Sequence, residues 1–431
     1  MILLDELISS RINTLSLKNK LFLDRSKPLI REVFLFLDIC INMHIRLFDG
    51  KQREHLLPFV YLRPVADIFM GMMTFRDRWA RLMETTVDVE TISYLSVPKA
   101  SKADVCILAS VIPSKFFLQA VRSLQPGQKL ESNGTLLAYY GDAFSDDSLV
   151  RDYDVISVDE DQYIHIKHTW DIFSHNADAL HHDFTLLVND QNSNSIANSN
   201  TVLGNGSIFI ADNVNMEATT LNTSKGHIYI DEGATVMEGA LLRGPLYIGK
   251  NSVIKLGAKV YENCSFGPSV KVGGELNNVV FFGNSNKGHD GFLGNAVIGQ
   301  WCNIGAGSDA SNLKNDYNTI RAWDYPYGGF AKTGLQFCGL LMGDHSQCSI
   351  QTTFNTATVV GVGCNLFGNG FSRQFIPSFS RGGSQGFVEN RIDKVLETAK
   401  RMKERRGADL TPDDESRIRE VFDRTTKHRK P

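Results

Sequence analysis

The sequence predicts an α/β N-terminal domain followed by a left-handed parallel β-helix of hexapeptide repeats and a C-terminal helical tail. Three observations carry this. Ile230, Val236, Leu242, Ile248, Ile254, Val260, Phe266 and Val272 recur every six residues, and Met342, Cys348, Phe354, Val360 and Leu366 resume the same spacing. Several of these positions, and others in the array, are followed by glycine, as at Gly249, Gly267, Gly273, Gly299, Gly305, Gly343 and Gly361. Ahead of the array, short apolar runs alternate with helical stretches. A six-residue period with one inward apolar position marks a β-helix, because a single coil cannot bury its apolar side alone and must stack on the next. Glycine at the corners supplies backbone conformations that other residues resist.

Taken in order, residues 1–42 form an N-terminal extension, helical or loosely structured, with Pro28 as punctuation. The α/β domain spans 43–165. It opens with a strand at His44 to Phe48 ending in the Asp49-Gly50 turn. A helix runs through Met72 to Trp79, strands through Val105 to Ala109 and Leu136 to Tyr140, and a second helix near Ser114 to Leu124. Residues 166–200 are a helix around Trp170 to Leu180 and an Asn/Ser-rich linker. The β-helix covers 201–383, with a break of register over 273–297 around His289 and an aromatic, glycine-rich excursion over 311–338. An excursion of that length is usually functional. The tail, 384–431, is read as helical: Ile392, Val395, Leu396, Ala399 and Met402 share one helical face, and Thr411-Pro412-Asp413-Asp414 is an N-terminal cap.

Composition narrows the function. The 431 residues carry a net charge of −3, which points to no nucleic-acid partner. The seven cysteines are scattered singly without zinc-ligand or redox spacing, which favours small core residues in a reducing, cytoplasmic setting. No signal-peptide pattern opens the chain, and the apolar run from Leu29 to Met43 is broken by Arg31, Glu32 and Asp38, so no membrane span is expected.

The chemistry is sought around Lys287-Gly288-His289-Asp290-Gly291-Phe292-Leu293-Gly294 and Asn303-Ile304-Gly305-Ala306-Gly307. A neutral imidazole at His289 suits a general base that deprotonates an amine attacking a thioester. Backbone N–H groups at Gly305-Ala306-Gly307 suit the developing oxyanion. The plainer reading of His289 is a surface loop histidine. Asn303 and Asn312 are candidates for hydrogen bonds to sugar hydroxyls or an acyl-carrier amide, or else for corner and loop stabilisation. His345 reads as a corner residue rather than a second base. Arg63, Arg76 and Arg78 are candidates for phosphate contact, or plain helix-surface charges.

The His289 motif resembles the acetyltransferase half of the bifunctional N-acetylglucosamine-1-phosphate uridylyltransferase / glucosamine-1-phosphate acetyltransferase family. The whole of 43–431 is similar to a Bacteroidetes-type subfamily of sugar nucleotidyltransferases. Leu47 to Gly50, Leu56 to Asp67, Ser285 to Gly294, Ser311 to Tyr317, Gly339 to His345 and Arg373 to Gly383 carry the likeness. The resemblance implies His289 as catalytic base, Asn303 at a sugar-contacting position, Ala306 (with Gly307) facing the acetyl-CoA thioester, and Asn312 near the substrate amine or acyl carrier. Phe292 stands where bacterial members usually have tyrosine, which removes a hydroxyl contact to phosphate. The residues before His289, Gly273 to Asn286, hold no evident counterparts of the family's phosphate-binding Arg and Lys. Leu57-Pro58 and Arg63-Pro64 echo the nucleotidyltransferase segment, with Gly50 and Arg63 the nucleotide-binding candidates, while the glycine-rich nucleotide loop is missing.

The expected function is therefore a sugar-phosphate nucleotidyltransferase and amino-sugar-phosphate N-acetyltransferase of nucleotide-sugar synthesis. It would use a sugar phosphate, a nucleoside triphosphate and acetyl-CoA, with Mg²⁺ for nucleotidyl transfer held by carboxylates such as Asp49 and Asp67. The alternatives are nucleotidyl transfer alone, as in a glucose-1-phosphate thymidylyltransferase, with a structural β-helix, or a non-enzymatic scaffold. A homotrimer is expected, and Met43 is expected to be the functional start.

Overall fold

The computed structural model describes residues 43–95, 102–141, 150–188 and 191–429. The N-terminal extension, with its expected helix and Cys40, lies outside the described residues.

The α/β domain is built on a mixed sheet of six strands. These are β1 (Ile45–Phe48), β2 (Val87–Glu90), β3 (Val105–Leu108), β4 (Gln128–Ser132), β5 (Thr135–Tyr140) and β6 (Asp154–Ser157), in the order β2-β1-β3-β5-β4-β6. β1 is parallel to both β2 and β3, and β5 runs antiparallel to β3 and β4. A central parallel strand is covered on both faces, and β1 is buried throughout, including Arg46, which reaches Asp88 and Glu90 on β2. Helix α1 (Phe75–Met83) starts where the Thr74 hydroxyl accepts from Asp77 N–H, and α2 (Lys115–Ser123) where Ser114 accepts from Phe117 N–H.

Helix α3 (Asn176–Val188) joins this domain to the β-helix. Arg78 of α1 grips its Asp183 with two bonds, Nε to Oδ1 at 2.8 Å and Nη2 to Oδ2 at 2.7 Å, both side chains fully buried. Burial alone would raise the Asp183 carboxyl, but Arg78 overrides it and holds the group below its ordinary value. Asn176 Nδ2 donates to Asn263 O and Ser265 Oγ on the solenoid.

From Thr201 to Gly383 the chain winds as a parallel β-helix with three faces. Inward columns follow the predicted period, and Ile230, Val236, Leu242, Ile248, Ile254, Val260, Phe266, Val272, Met342, Cys348, Phe354, Val360 and Leu366 are all buried. The six described cysteines are free and buried. On the first face (Ile228–Ile230, Leu246–Ile248 and their neighbours) the outward residues are buried too. Tyr229, Tyr247, Val280, Val297, Leu341 and Val359 share a core with the α/β domain. Phe69 lies against Tyr247 and Phe59 against Phe282. The second face carries Lys271–Val272, Asn286–Lys287 and Asn303–Ile304; the third carries Leu241–Arg243, Lys259–Val260 and Asp309–Ala310.

The register does break over 273–297: Lys287 stacks on Val272 in the inward column only 15 residues on, three short of a regular coil. Glu275–Phe281 and Phe292–Ile298 each run through the corner between the third and first faces as one seven-residue strand. They bend at Asn278 (φ 52°) and Asn295 (φ 47°), because asparagine tolerates the left-handed region. The tail, in turn, opens not as helix but as the strand Gly386–Glu389, antiparallel to Ser380–Gly383. That pairing covers a sheet edge that would otherwise be open. Helices α4 (Ile392–Glu404) and α5 (Pro412–Arg424) follow, the latter with the predicted Thr411 cap completed by Asp414. No described helix is long and apolar enough to cross a membrane.

The excursion is ordered. Arg321–Asp324 and Gly329–Lys332 form a hairpin whose Tyr325 sits edge-on to Tyr61 of the α/β domain, while Trp323 stacks on Phe375 at 4.0 Å.

Candidate active site

Two regions collect the candidate residues. The first is a cleft of about 840 Å³ at the C-terminal end of β1. Its walls include Asp49, Gly50 and Lys51 after β1, Thr91 after β2, Leu108 of β3, Lys129 and Glu131 of β4, and Arg151. The strand order places it where successive connections leave β1 in opposite directions, the position where open α/β sheets bind ligands. Gly50 has φ 70°, a left-handed turn that favours glycine, and a side chain there would push on Leu108 Cδ1 in the cleft.

The other N-terminal candidates are structural. Arg63 is buried, donating to Phe59 O at 2.7 Å and to Asp344 Oδ1 of the β-helix at 2.8 Å; it does not line this cleft. Arg78 is committed to Asp183 and Arg76 to Asp67. Asp49 is buried and takes Arg53 Nε at 2.9 Å, Val65 N–H at 2.8 Å and the Thr91 hydroxyl. Burial outweighs these partners and raises its carboxyl above the usual range. Asp67, two residues after Val65, is paired with Arg76. Both carboxylates are therefore already taken by protein donors, which does not fit a shared Mg²⁺ site.

The second region is the corner of the β-helix between its second and third faces. His289 is exposed there, and the next coil stacks directly on it, with Gly307 N–H donating to Asp290 O at 2.9 Å. The Gly305-Ala306-Gly307 turn is thus stacked on the corner that carries His289. Gly305 N–H bonds Cys348 O and Gly307 N–H is taken by Asp290, which leaves Ala306 N–H as the turn's available donor among the described residues. Asn303 is exposed on the adjoining second face, 3.4 Å from Asn286 Nδ2 through its Oδ1. Phe292 and Asn312 meet across Gly294 on the third face, with Asn312 Nδ2 bonded to Asn295 Oδ1 at 2.8 Å. His345 is a buried corner residue with φ 55°, its imidazole depressed to about 4 by burial.

Sequence reasoning missed what surrounds His289. Lys287 fills an inward position, 1% exposed, where its column neighbour is Val272. Its ammonium donates to Gly273 O at 3.2 Å and His289 O at 2.9 Å, and burial depresses it to about 8. Outside the coil, Lys255, Lys271 and Arg406 gather. Arg406 reaches from beyond α4 to Asn286 Oδ1 at 2.8 Å, and Lys255 Cε lies 3.9 Å from a Cβ built on Gly288. Burial first, then the charges of Arg406, Lys255 and Arg405, lower Lys271. These cations stand where the sequence offered no phosphate ligand. The signal was present as lysines about one coil apart, but Arg406 comes from a tail whose path the sequence does not reveal.

The comparisons bear on the first region. Residues 45–192 match the model of a family described as sugar nucleotidyl transferase. The matched span contains the whole six-stranded sheet and its cleft. Two crystal structures are also similar to parts of the chain at 13% identity. One is the polySia-specific acetyltransferase NeuO, covering 47% of this chain and 97% of that one, TM-score 0.26. The other is the Arabidopsis UDP-N-acetylglucosamine acyltransferase, covering 48% and 76%, TM-score 0.21. No curated protein matches.

Proposed function

We propose that the α/β domain joins a sugar phosphate to a nucleotide in the cleft at the end of β1. The observation that carries this is the cleft itself: Gly50 at its floor and Lys51, Lys129 and Arg151 on its walls, inside the span similar to sugar nucleotidyl transferases. A phosphate oxygen of the sugar phosphate attacks the α-phosphorus of a nucleoside triphosphate. The new P–O bond forms as the bond to pyrophosphate breaks. Lysine and arginine side chains around the phosphates offset the negative charge that gathers in the transition state.

A second activity, N-acetylation of an amino-sugar phosphate by acetyl-CoA, is favoured at the His289 corner. The accessible imidazole next to Ala306 N–H supports it, as do the cations Lys255, Lys271 and Arg406 beside an acceptor phosphate. The amine attacks the thioester carbonyl, a C–N bond replaces the C–S bond, His289 takes the amine proton and coenzyme A leaves. Asn303 would contact the sugar. In this reading the site is completed by neighbouring copies in a homotrimer. Pyrophosphate release from several nucleoside triphosphates with sugar phosphates, run beside coenzyme A release with amino-sugar phosphates, tests both activities. Absence of both leaves the scaffold reading.

A further inference from the structure

The excursion hairpin brings together a cluster that neither proposed activity uses. His55 follows the β1 turn, His168 lies just before α3, and Asp324 ends the first strand of the hairpin; one ligand atom from each lies within 4.8 Å of the others. His55 Nδ1 is 2.6 Å from Asp324 Oδ2, and the two imidazole centroids are 5.2 Å apart.

We propose that His55, His168 and Asp324 bind one divalent transition-metal ion of the zinc class, clamping the β-helix excursion to the α/β domain. Two imidazoles and a carboxylate are the donor set of zinc-type ions, whereas magnesium takes oxygen ligands. Asp324 is 3% exposed, and a buried carboxylate demands compensation. Among the described residues its side chain meets Tyr327 N–H at 3.0 Å and His55, with no lysine or arginine. The rings are also held in place. His168 stacks on Trp170 at 4.5 Å and 6°, and Asp171 Oδ2 accepts the His168 backbone N–H at 2.8 Å, which fixes the segment that carries the ring. Asp324 is held by the hairpin turn through Tyr327. Both histidine side chains are about one-third exposed, which leaves a fourth coordination position open to water.

The test is cobalt(II) titration of the chelator-treated full chain, followed by visible absorption. Intense bands of four-coordinate cobalt, saturating near one ion per chain and displaced by zinc(II), are expected. His168→Gln should weaken cobalt binding by at least about 10–100-fold, the loss already typical of removing an outer partner, while His289→Ala leaves it unchanged. Zinc(II) should also slow proteolysis within the hairpin in the wild type and not in His168→Gln. Because His168 is partly exposed, its variant carries the test even where Asp324→Asn does not fold. Absence of four-coordinate bands, or bands indifferent to His168→Gln, would overturn the proposal and leave a His55–Asp324 ion pair only.

Discussion

Arg63 of the α/β domain donates from Nη2 to Asp344 Oδ1 of the β-helix across 2.8 Å, with both side chains buried. The guanidinium also lies over the Phe282 ring at 5.3 Å, and the same carboxylate oxygen accepts Gln300 N–H at 2.6 Å. Among the described residues Asp344 Oδ2 has no hydrogen-bond partner, so this one ion pair largely sets the cost of burying the carboxylate. Arg63→Ala should destabilise the chain by about 3–5 kcal/mol in urea unfolding, because it strands the Asp344 charge. Arg63→Met with Asp344→Asn should recover most of that loss. Nucleotidyl transfer per folded molecule should stay near wild type, since Arg63 is outside the cleft; a specific loss of turnover would return it to the nucleotide site.

Lys287 gives a pH signature. Its buried ammonium titrates near 8 instead of the ordinary 10.5. Between these values the unfolded chain binds the proton and the folded chain does not, so this group's contribution to stability rises with pH through that window. Below about pH 8 the full penalty is present, on the order of 3 kcal/mol. The stability of wild type minus that of Lys287→Met should therefore climb by roughly 2–3 kcal/mol from about pH 7 to 10.5 and level off above. A flat difference across that range would mean that the ammonium reaches solvent.

At the neighbouring corner, His289→Ala should slow acetyl transfer by about 10²–10⁴-fold, and His289→Asn should do no better, because an amide cannot take the proton. The thermal midpoint should hold, since the ring is exposed. Arg406→Ala should instead raise KM for the phosphorylated acceptor and spare kcat. Full activity in His289→Ala, or unfolding with it, would remove the assignment.

The first face of the β-helix is covered by the α/β domain, and Arg406 and Met402 bring the tail against Asn286 and Gln347 on the second. The third face, with Leu241 50% exposed, is the one left for a neighbour. Light scattering at micromolar concentration should give a mass three times 48.0 kDa, and Leu241→Arg should shift it toward the monomer. A wild-type monomer would defeat both the trimer and a shared acetyl site.

Much of this was legible before any coordinates. The six-residue period named the inward columns, and Thr411-Pro412 named its helix, because both depend on local spacing. The covering of the first face was not read from the sequence; it explains why the outward residues of Ile228-Tyr229-Ile230 and Leu246-Tyr247-Ile248 are aromatic. The destinations of Arg63, Arg78 and Arg406 were not legible. Each partner, Asp344, Asp183 or Asn286, is at least 105 positions away, and local sequence does not encode such pairings. His289 was singled out by its motif and remains a proposal, while the inward Lys287 beneath it shows only when the coil is wound and Val272 stacks on it.

The most direct test of the central claim is pyrophosphate release by the full chain given a sugar phosphate and a nucleoside triphosphate, measured for wild type, Lys51→Ala and His289→Ala. Lys51 is exposed on the wall of the β1 cleft, so its loss should not unfold the domain. The account predicts release by wild type, a fall of about 10²–10³-fold in Lys51→Ala, in the range for losing one group that stabilises transition-state charge, and no change in His289→Ala. Release that ignores Lys51→Ala, or that disappears with His289→Ala, would contradict a nucleotidyl site in that cleft.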